Sequence, residues 1–91
     1  MIEKVEGKNK GKFFLYALST CIWCKKTKGL LDDIGVEYSY VFLDKLDEKD
    51  KTEKKKELMK YNPRCSFPTI VINDKECIVG FKEDEIRRLL E

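Results

Sequence analysis

The chain has 91 residues, 42% hydrophobic and 40% charged, which predicts one folded domain with a heavily charged surface and excludes a disordered chain. Its net charge of +2 is too small to favour nucleic acid or an anionic membrane as the main partner. The N-terminus lacks the apolar core of a signal peptide and no apolar run approaches the ~20 residues of a membrane span, so we expect a cytoplasmic protein.

The first part of the chain predicts a strand followed by a helix. Residues 1–11 mix charges with glycines and are expected to be either a frayed end or a short edge strand. Residues 12–18 are predicted to be a central strand covered on both faces, because Phe13 to Leu18 form a continuous apolar run. Apolar positions then recur at helical spacing over residues 23–34, and Gly35 suits the position just after a helix end.

A second strand and a second helix are predicted in the middle of the chain. Residues 36–43 are rich in β-branched and aromatic side chains, and the helical crossover before them predicts pairing parallel to the first strand. The charged stretch that follows predicts a solvated helix over residues 49–61, with its apolar contacts made by Leu58, Met59 and Tyr61.

The last third predicts a hairpin and a closing helix. Residues 70–72 and 76–79 are expected to be strands joined by a turn at 73–74. Residues 82–91 are predicted to be a helix, because the acids at 83–85 fall in its first turn and Arg87 and Arg88 in its last, which matches the helix dipole. Its buried stripe is predicted to be Ile86, Leu89 and Leu90. The fold class is therefore α/β, in the order β-α-β-α-β-β-α.

A Cys-x-x-Cys motif, Cys21-Ile22-Trp23-Cys24, stands where the first strand meets the first helix. A cysteine titrates at ~8.5 in solution, but at a helix N-terminus or inside such a motif the pKa falls to roughly 3.5–7.5. Cys21 is therefore the predicted nucleophile, and Cys24, one turn later, the predicted resolving thiol. The chain has no histidine, so the helix dipole and Lys25, Lys26 and Lys28 are the expected sources of thiolate stabilisation.

Other interpretations of the cysteines stay open. The pair could be half of a zinc site, although Cys65 and Cys77 are not spaced as a second pair. A module that holds zinc, or a shared iron–sulfur cluster through Cys21, is the alternative function. The pair could also be a structural disulfide or inert thiols. Cys65 is expected on the loop facing the Cys21 sulfur, as filler or as a third redox thiol, and Cys77 in the core.

Three features in this order resemble the glutaredoxin family, within the thioredoxin fold. They are Cys21–Cys24 after the first strand, Ser66-Phe67-Pro68-Thr69 before the third, and Val79-Gly80-Phe81-Lys82-Glu83-Asp84 at the last helix. The resemblance spans residues 12–90 and implies a three-layer α/β/α fold with a four-stranded mixed sheet. It also implies a dithiol thiol–disulfide oxidoreductase that reduces protein or small-molecule disulfides through a Cys21–Cys24 redox pair.

The resemblance extends to the residues expected to bind a substrate or a thiol. The family's cis-proline corresponds to Pro68, and Phe67 would offer its backbone N–H and C=O to a substrate as a short added strand. Ile22 and Trp23 replace the Pro-Tyr pair of typical dithiol members and make the site more apolar. The positions that contact glutathione carboxylates correspond to Lys12, Arg64 and Asp84.

The expected electron donor follows from Gly80-Phe81-Lys82. Glutathione-binding members usually have a second glycine where this chain has Phe81, and Gly-Phe before a basic residue resembles the glutaredoxin-like hydrogen donors of ribonucleotide reductase, which take electrons from a thioredoxin reductase. We expect no bound cofactor, and a small thiol (glutathione or another) or a thioredoxin-reductase-type donor as reductant. The partners are then protein disulfides and that reductant, and the protein is expected to be a monomer.

Overall fold

A mixed sheet of five strands carries the fold in the computed structural model, which describes residues 2–90. The strands are β1 (Glu3–Val5), β2 (Phe13–Ala17), β3 (Tyr38–Phe42), β4 (Thr69–Ile72) and β5 (Glu76–Val79). The helices are α1 (Ile22–Ile34), α2 (Glu48–Tyr61) and α3 (Glu83–Leu90), with a short 3-10 turn at Leu43–Lys45. None of the helices among these residues is long and apolar enough to cross a membrane.

Strand β2 lies at the centre of the sheet, as its apolar sequence predicts. The strand order is β1-β3-β2-β4-β5, with β2 parallel to β3 and antiparallel to β4. One core cluster joins β2 to buried residues of α1 and α3, and a second joins Tyr16 of β2 to Leu58 of α2. The three-layer α/β/α arrangement is therefore confirmed.

The sheet has one strand more than the four expected, because residues near the N-terminus form an edge strand. Strand β1 pairs antiparallel with β3, and Val5 packs against the core. Farther along, Lys8 donates its N–H to the Gly35 carbonyl at 2.8 Å. A Cβ on Gly7 would lie 2.5 Å from that carbonyl oxygen, so this close approach requires glycine. Glu3–Val5 is too short to show the alternating pattern of a strand, so the sequence did not decide between a frayed end and an edge strand.

Two side chains predicted as buried helix contacts are exposed instead. Met59 is 48% exposed and Leu89 is 47% exposed, whereas their neighbours Leu58 and Leu90 are buried. Consecutive helical residues point about 100° apart, so only one of each pair can face the sheet.

Candidate active site

The two cysteines of the motif lie where β2 runs into α1. Cys21 is the N-cap of α1, and its Sγ accepts a hydrogen bond from the Cys24 N–H at 3.2 Å. The first turn of α1 contains no acidic residue. A thiolate at Cys21 would therefore meet a backbone donor and the positive end of the helix dipole.

The environments of the two sulfurs differ. Cys21 is partly exposed, whereas Cys24 is only 1% exposed. Burial and, after it, the hydrogen bond with Cys21 raise the pKa of the Cys24 thiol to about 12. Cys24 is therefore protonated at neutral pH and shielded from bulk solvent, which are the properties of a second, slower thiol.

An apolar platform lies beside the dithiol. The rings of Trp23 and Phe81 stack with centroids 6.0 Å apart and an interplanar angle of 28°. Trp23 is 52% exposed and Ile22 is 63% exposed, so both present apolar surface to solvent. Lys26 places its Nζ 4.6 Å from the centre of the Trp23 ring. We call Ile22, Trp23 and Phe81 the apolar platform.

A shallow cavity of about 280 Å³ opens next to this platform. Its lining brings together five residues that the sequence predicted as substrate-binding: Trp23, Phe67, Pro68, Gly80 and Phe81. The Phe67–Pro68 peptide bond is cis, as predicted. Gly80 donates its N–H to the Pro68 carbonyl at 2.8 Å with a φ of +87°, a left-handed conformation that favours glycine. Within residues 2–90, the backbone N–H and C=O of Phe67 have no hydrogen-bond partner.

Lys12 lies at the opposite end of β2 from the dithiol. Its Nζ bonds to the Asp74 carboxylate at 2.8 Å, and its N–H donates to Asn73 Oδ1 at 2.9 Å, both in the β4–β5 turn. The strand between Lys12 and the dithiol is roughly 16 Å long, from the ~3.3 Å rise per strand residue. A thiol bound at Cys21 cannot reach Lys12, so the glutathione contact predicted there is wrong.

Arg64 and Asp84 do not line the cavity. Arg64 is exposed on the loop after α2, where its N–H donates to Asn62 Oδ1 at 3.2 Å. Asp84 is exposed in the first turn of α3. Their contribution to thiol binding stays a prediction. Lys28, expected to act on the thiolate, is instead paired with Asp32 at 3.1 Å.

Sequence reasoning missed the polar residues that hold these loops. Asn62 directly follows the predicted helix over residues 49–61, and its sequence position gives no sign of a further role. Its buried amide donates to Ser66 Oγ and to Thr69 Oγ1, each at 3.0 Å, and so braces the loop before Pro68. Asp44 lies at the start of the charged stretch that follows the second predicted strand, and it accepts two hydrogen bonds from Ser19. The signal for Asp44 was available, since both residues follow the carboxyl ends of strands predicted to be parallel neighbours.

The remaining cysteines lie on the other side of the sheet. Cys65 packs against the cluster under α2, whereas Cys21 packs against the cluster under α1 and α3. The expectation that Cys65 faces the Cys21 sulfur is therefore not supported by this packing. Cys77 donates its thiol to the Tyr61 carbonyl at 3.3 Å. Across residues 2–90, no three Cys, Asp or Glu side chains come together as a metal site.

Comparisons with known proteins agree with this arrangement. Residues 13–78 match the family model described as glutaredoxin. A glutaredoxin from Methanosarcina mazei is 52% identical, with a TM-score of 0.91 over 98% of this chain and 86% of the other. A methanoredoxin from Methanosarcina acetivorans is 52% identical, with a TM-score of 0.91 over 92% and 88%. An uncharacterized glutaredoxin-like 8.6 kDa protein from the rubredoxin operon of Clostridium pasteurianum is 34% identical over 85% of this chain and 95% of its own length.

Proposed function

The chain belongs to the glutaredoxin family, and we propose that it is a dithiol thiol–disulfide oxidoreductase in which Cys21 attacks and Cys24 resolves. The observation that carries the proposal is the contrast between the two sulfurs. Cys21 is partly exposed at the start of α1 and accepts a backbone hydrogen bond, while Cys24 is buried with a raised pKa. The metal-binding alternative is not proposed, because no observation on residues 2–90 favours it.

The exchange proceeds in two substitutions at sulfur. The Cys21 thiolate attacks one sulfur of a substrate disulfide, a mixed disulfide forms, and the other substrate sulfur leaves as a thiolate that takes up a proton. Cys24 then gives up its proton and attacks the Cys21 Sγ. The mixed disulfide breaks and the second substrate thiol is released. The substrate disulfide has then been reduced by two electrons, and the two cysteines have been oxidised to the Cys21–Cys24 disulfide. An external reductant restores the dithiol.

The surface beside Cys21 favours protein disulfides as substrates. The N–H and C=O of Phe67 lack partners within residues 2–90, so they are able to pair with an extended segment that carries the disulfide. The apolar platform adds surface that a neighbouring apolar side chain would cover. A small thiol or disulfide would contact only part of this area.

Phe81 determines our proposal for the electron donor. A glycine there would let a backbone amide approach a glutathione carboxylate, whereas the Phe81 ring occupies the cavity wall and stacks on Trp23. We therefore propose that glutathione is a poor reductant and that a thioredoxin-reductase-type flavoprotein or another small thiol is a better one. No bound cofactor is required, and a reducing cytoplasm suits the cycle.

Steady-state assays test the oxidoreductase proposal and the donor proposal separately. Reduction of insulin and of a β-hydroxyethyl mixed disulfide is measured with glutathione and with an NADPH-linked thioredoxin reductase, at matched protein concentration. We expect glutathione turnover to be slow in the wild type and in the bulk-preserving control Phe81→Tyr, and to increase in Phe81→Gly. Efficient glutathione turnover that Phe81→Gly leaves unchanged refutes the donor proposal. Absence of turnover with every donor, including dithiothreitol, refutes the oxidoreductase itself.

A further inference from the structure

One carboxylate ties the turn before Cys21 to the neighbouring strand. Asp44 Oδ1 accepts the Ser19 N–H at 2.8 Å, and Asp44 Oδ2 accepts the Ser19 hydroxyl. Asp44 follows β3 and Ser19 follows β2, and these strands are adjacent and parallel, so their carboxyl ends meet at one edge of the sheet. Because the backbone and the side chain of Ser19 are both held, the turn cannot shift without losing two charge-assisted hydrogen bonds.

Both active-site sulfurs are positioned by this turn. Cys21 donates its N–H to the Leu18 carbonyl at 3.2 Å, which closes the turn directly before α1. The Leu18 backbone also acts on the Cys24 thiol, whose pKa it lowers against the larger effect of burial. The Cys24 N–H then reaches the Cys21 Sγ at 3.2 Å. A displaced turn would therefore move the Cys21 sulfur away from the helix start and from its backbone donor.

Asp44 is held in its ionised form, and its charge affects the pKa of Cys24. The hydrogen bonds from Ser19, first from its hydroxyl and then from its N–H, lower the pKa of the Asp44 carboxyl. Asp44 is also among the charges that raise the pKa of Cys24, after the larger effects of burial and of Cys21. An ionised carboxylate therefore stands close enough to Cys24 to influence it.

We propose that Asp44 is a positioning residue for the exchange: by holding Ser19 it keeps the β2–α1 turn in the form that places the Cys21 Sγ at the start of α1. The inference rests on the proposed function for its consequence in turnover, and it also predicts a property of Cys21 that needs no substrate disulfide.

The test compares variants that break this contact with one that breaks a similar contact elsewhere. Asp44→Ala removes both acceptors, Ser19→Ala removes one donor, and Ser19→Thr keeps both donors. Asp47→Ala is the matched control, because Asp47 is an exposed carboxylate three residues away that caps α2 by accepting the Asp50 N–H at 2.9 Å. The alkylation rate of Cys21 by iodoacetamide is measured by peptide mass spectrometry, alongside disulfide turnover and the folded fraction.

Per folded molecule, we expect Asp44→Ala to slow both the alkylation of Cys21 and disulfide turnover about tenfold, and Ser19→Ala to slow them about threefold. Ser19→Thr should restore wild-type rates. Asp47→Ala should be less stable than the wild type but should keep the wild-type rates of alkylation and turnover. The double variant of Ser19→Ala with Asp44→Ala should be no slower than Asp44→Ala alone, because both changes remove the same contact.

Wild-type alkylation rates in Asp44→Ala overturn the inference, as does equal slowing in Asp47→Ala, which would indicate a general loss of stability. The outcome for the proposed function is separate. A wild-type protein whose Cys21 alkylates rapidly but that reduces no disulfide refutes the oxidoreductase, while the alkylation series still decides the positioning of Cys21 by Asp44.

Discussion

Replacing Cys21 with serine should leave the site with a thiol that reacts very slowly at neutral pH. Cys24 is then the remaining sulfur of the motif, and it is buried in the core cluster that joins β2 to α1 and α3. Burial is the largest cause of its raised pKa and persists in the variant, and the serine hydroxyl can still occupy the place of the Cys21 thiol. The reciprocal variant, Cys24→Ser, keeps the partly exposed Cys21 at the start of α1.

The size of the difference follows from the thiolate fraction. The pKa of Cys24 is about 12, against ~8.5 for an unperturbed cysteine, which lowers the thiolate fraction at pH 7 by roughly 3,000-fold. A more basic thiolate is the better nucleophile, and a Brønsted slope of ~0.4–0.5 recovers roughly 40-fold of this loss. Cys24 should therefore react about a hundredfold more slowly than an unperturbed cysteine. Because pH 7 to 9 lies below its pKa, its rate should rise about tenfold per pH unit there.

The assay is alkylation by iodoacetamide between pH 6 and 9, with each cysteine followed separately by peptide mass spectrometry. Incubation with a β-hydroxyethyl mixed disulfide then shows which variant forms a stable adduct. We expect Cys24→Ser to accumulate the adduct on Cys21, and Cys21→Ser to form none on Cys24. Cys65→Ser serves as the control that changes a thiol outside the motif.

Equal alkylation rates for Cys24 in Cys21→Ser and for Cys21 in Cys24→Ser near pH 7 would refute the assignment of roles. So would a flat pH dependence of the Cys24 rate between pH 7 and 9, because a protonated thiol must become faster as the pH rises toward its pKa.

Further predictions concern stability and the residues around the site. Gly35→Ala should lower the free energy of unfolding by about 1 kcal/mol, because the φ of +82° after α1 is left-handed. Gly29→Ala, within α1 and open to solvent, should raise the free energy of unfolding by about 0.5–1 kcal/mol. Urea unfolding of both variants should therefore show changes of opposite sign. Asn62→Ala should lower the free energy of unfolding by about 1–3 kcal/mol and raise the KM for a protein disulfide, since the loop before the cis-proline loses its buried amide; an unchanged KM contradicts this. Lys12→Ala should leave the KM for every reductant unchanged. After mild peroxide, mass spectrometry should show the Cys21–Cys24 linkage alone, and a linkage through Cys65 would contradict its placement under α2.

Local pattern was sufficient for most of the fold. The apolar run of β2 and the helical spacing of α1 predicted the central strand, the crossover and the position of Cys21 at a helix start, and all three are confirmed. Strand β1 was not determined in the same way, because Glu3–Val5 has no alternation and is held by pairing with β3 and by the close approach at Gly7. Such contacts depend on where distant segments lie, which local pattern does not encode.

The site was predicted less evenly for the same reason. Pro68 and Phe81 were found because short motifs place them, and they line one cavity with Trp23. The prediction for Lys12 was wrong because Lys12 lies before β2, whereas the dithiol site lies after β2 at the other end of the strand. Asp44 was missed because its role depends on the side-by-side pairing of two strands, although the predicted parallel crossover already implied that pairing.

The exposed apolar platform gives a physical reason to prefer a protein partner. Ile22 and Trp23 follow Cys21 at the start of α1 and expose more than half of their surface, at 63% and 52%. A partner that covers these side chains gains about 25 cal/mol of binding free energy for each Å² of apolar surface removed from water. A small anionic thiol covers little of this surface, because its charged groups need donors. A protein segment paired with the Phe67 backbone would cover it, so the Phe81 ring proposed to hinder a glutathione carboxylate would add affinity for a protein disulfide.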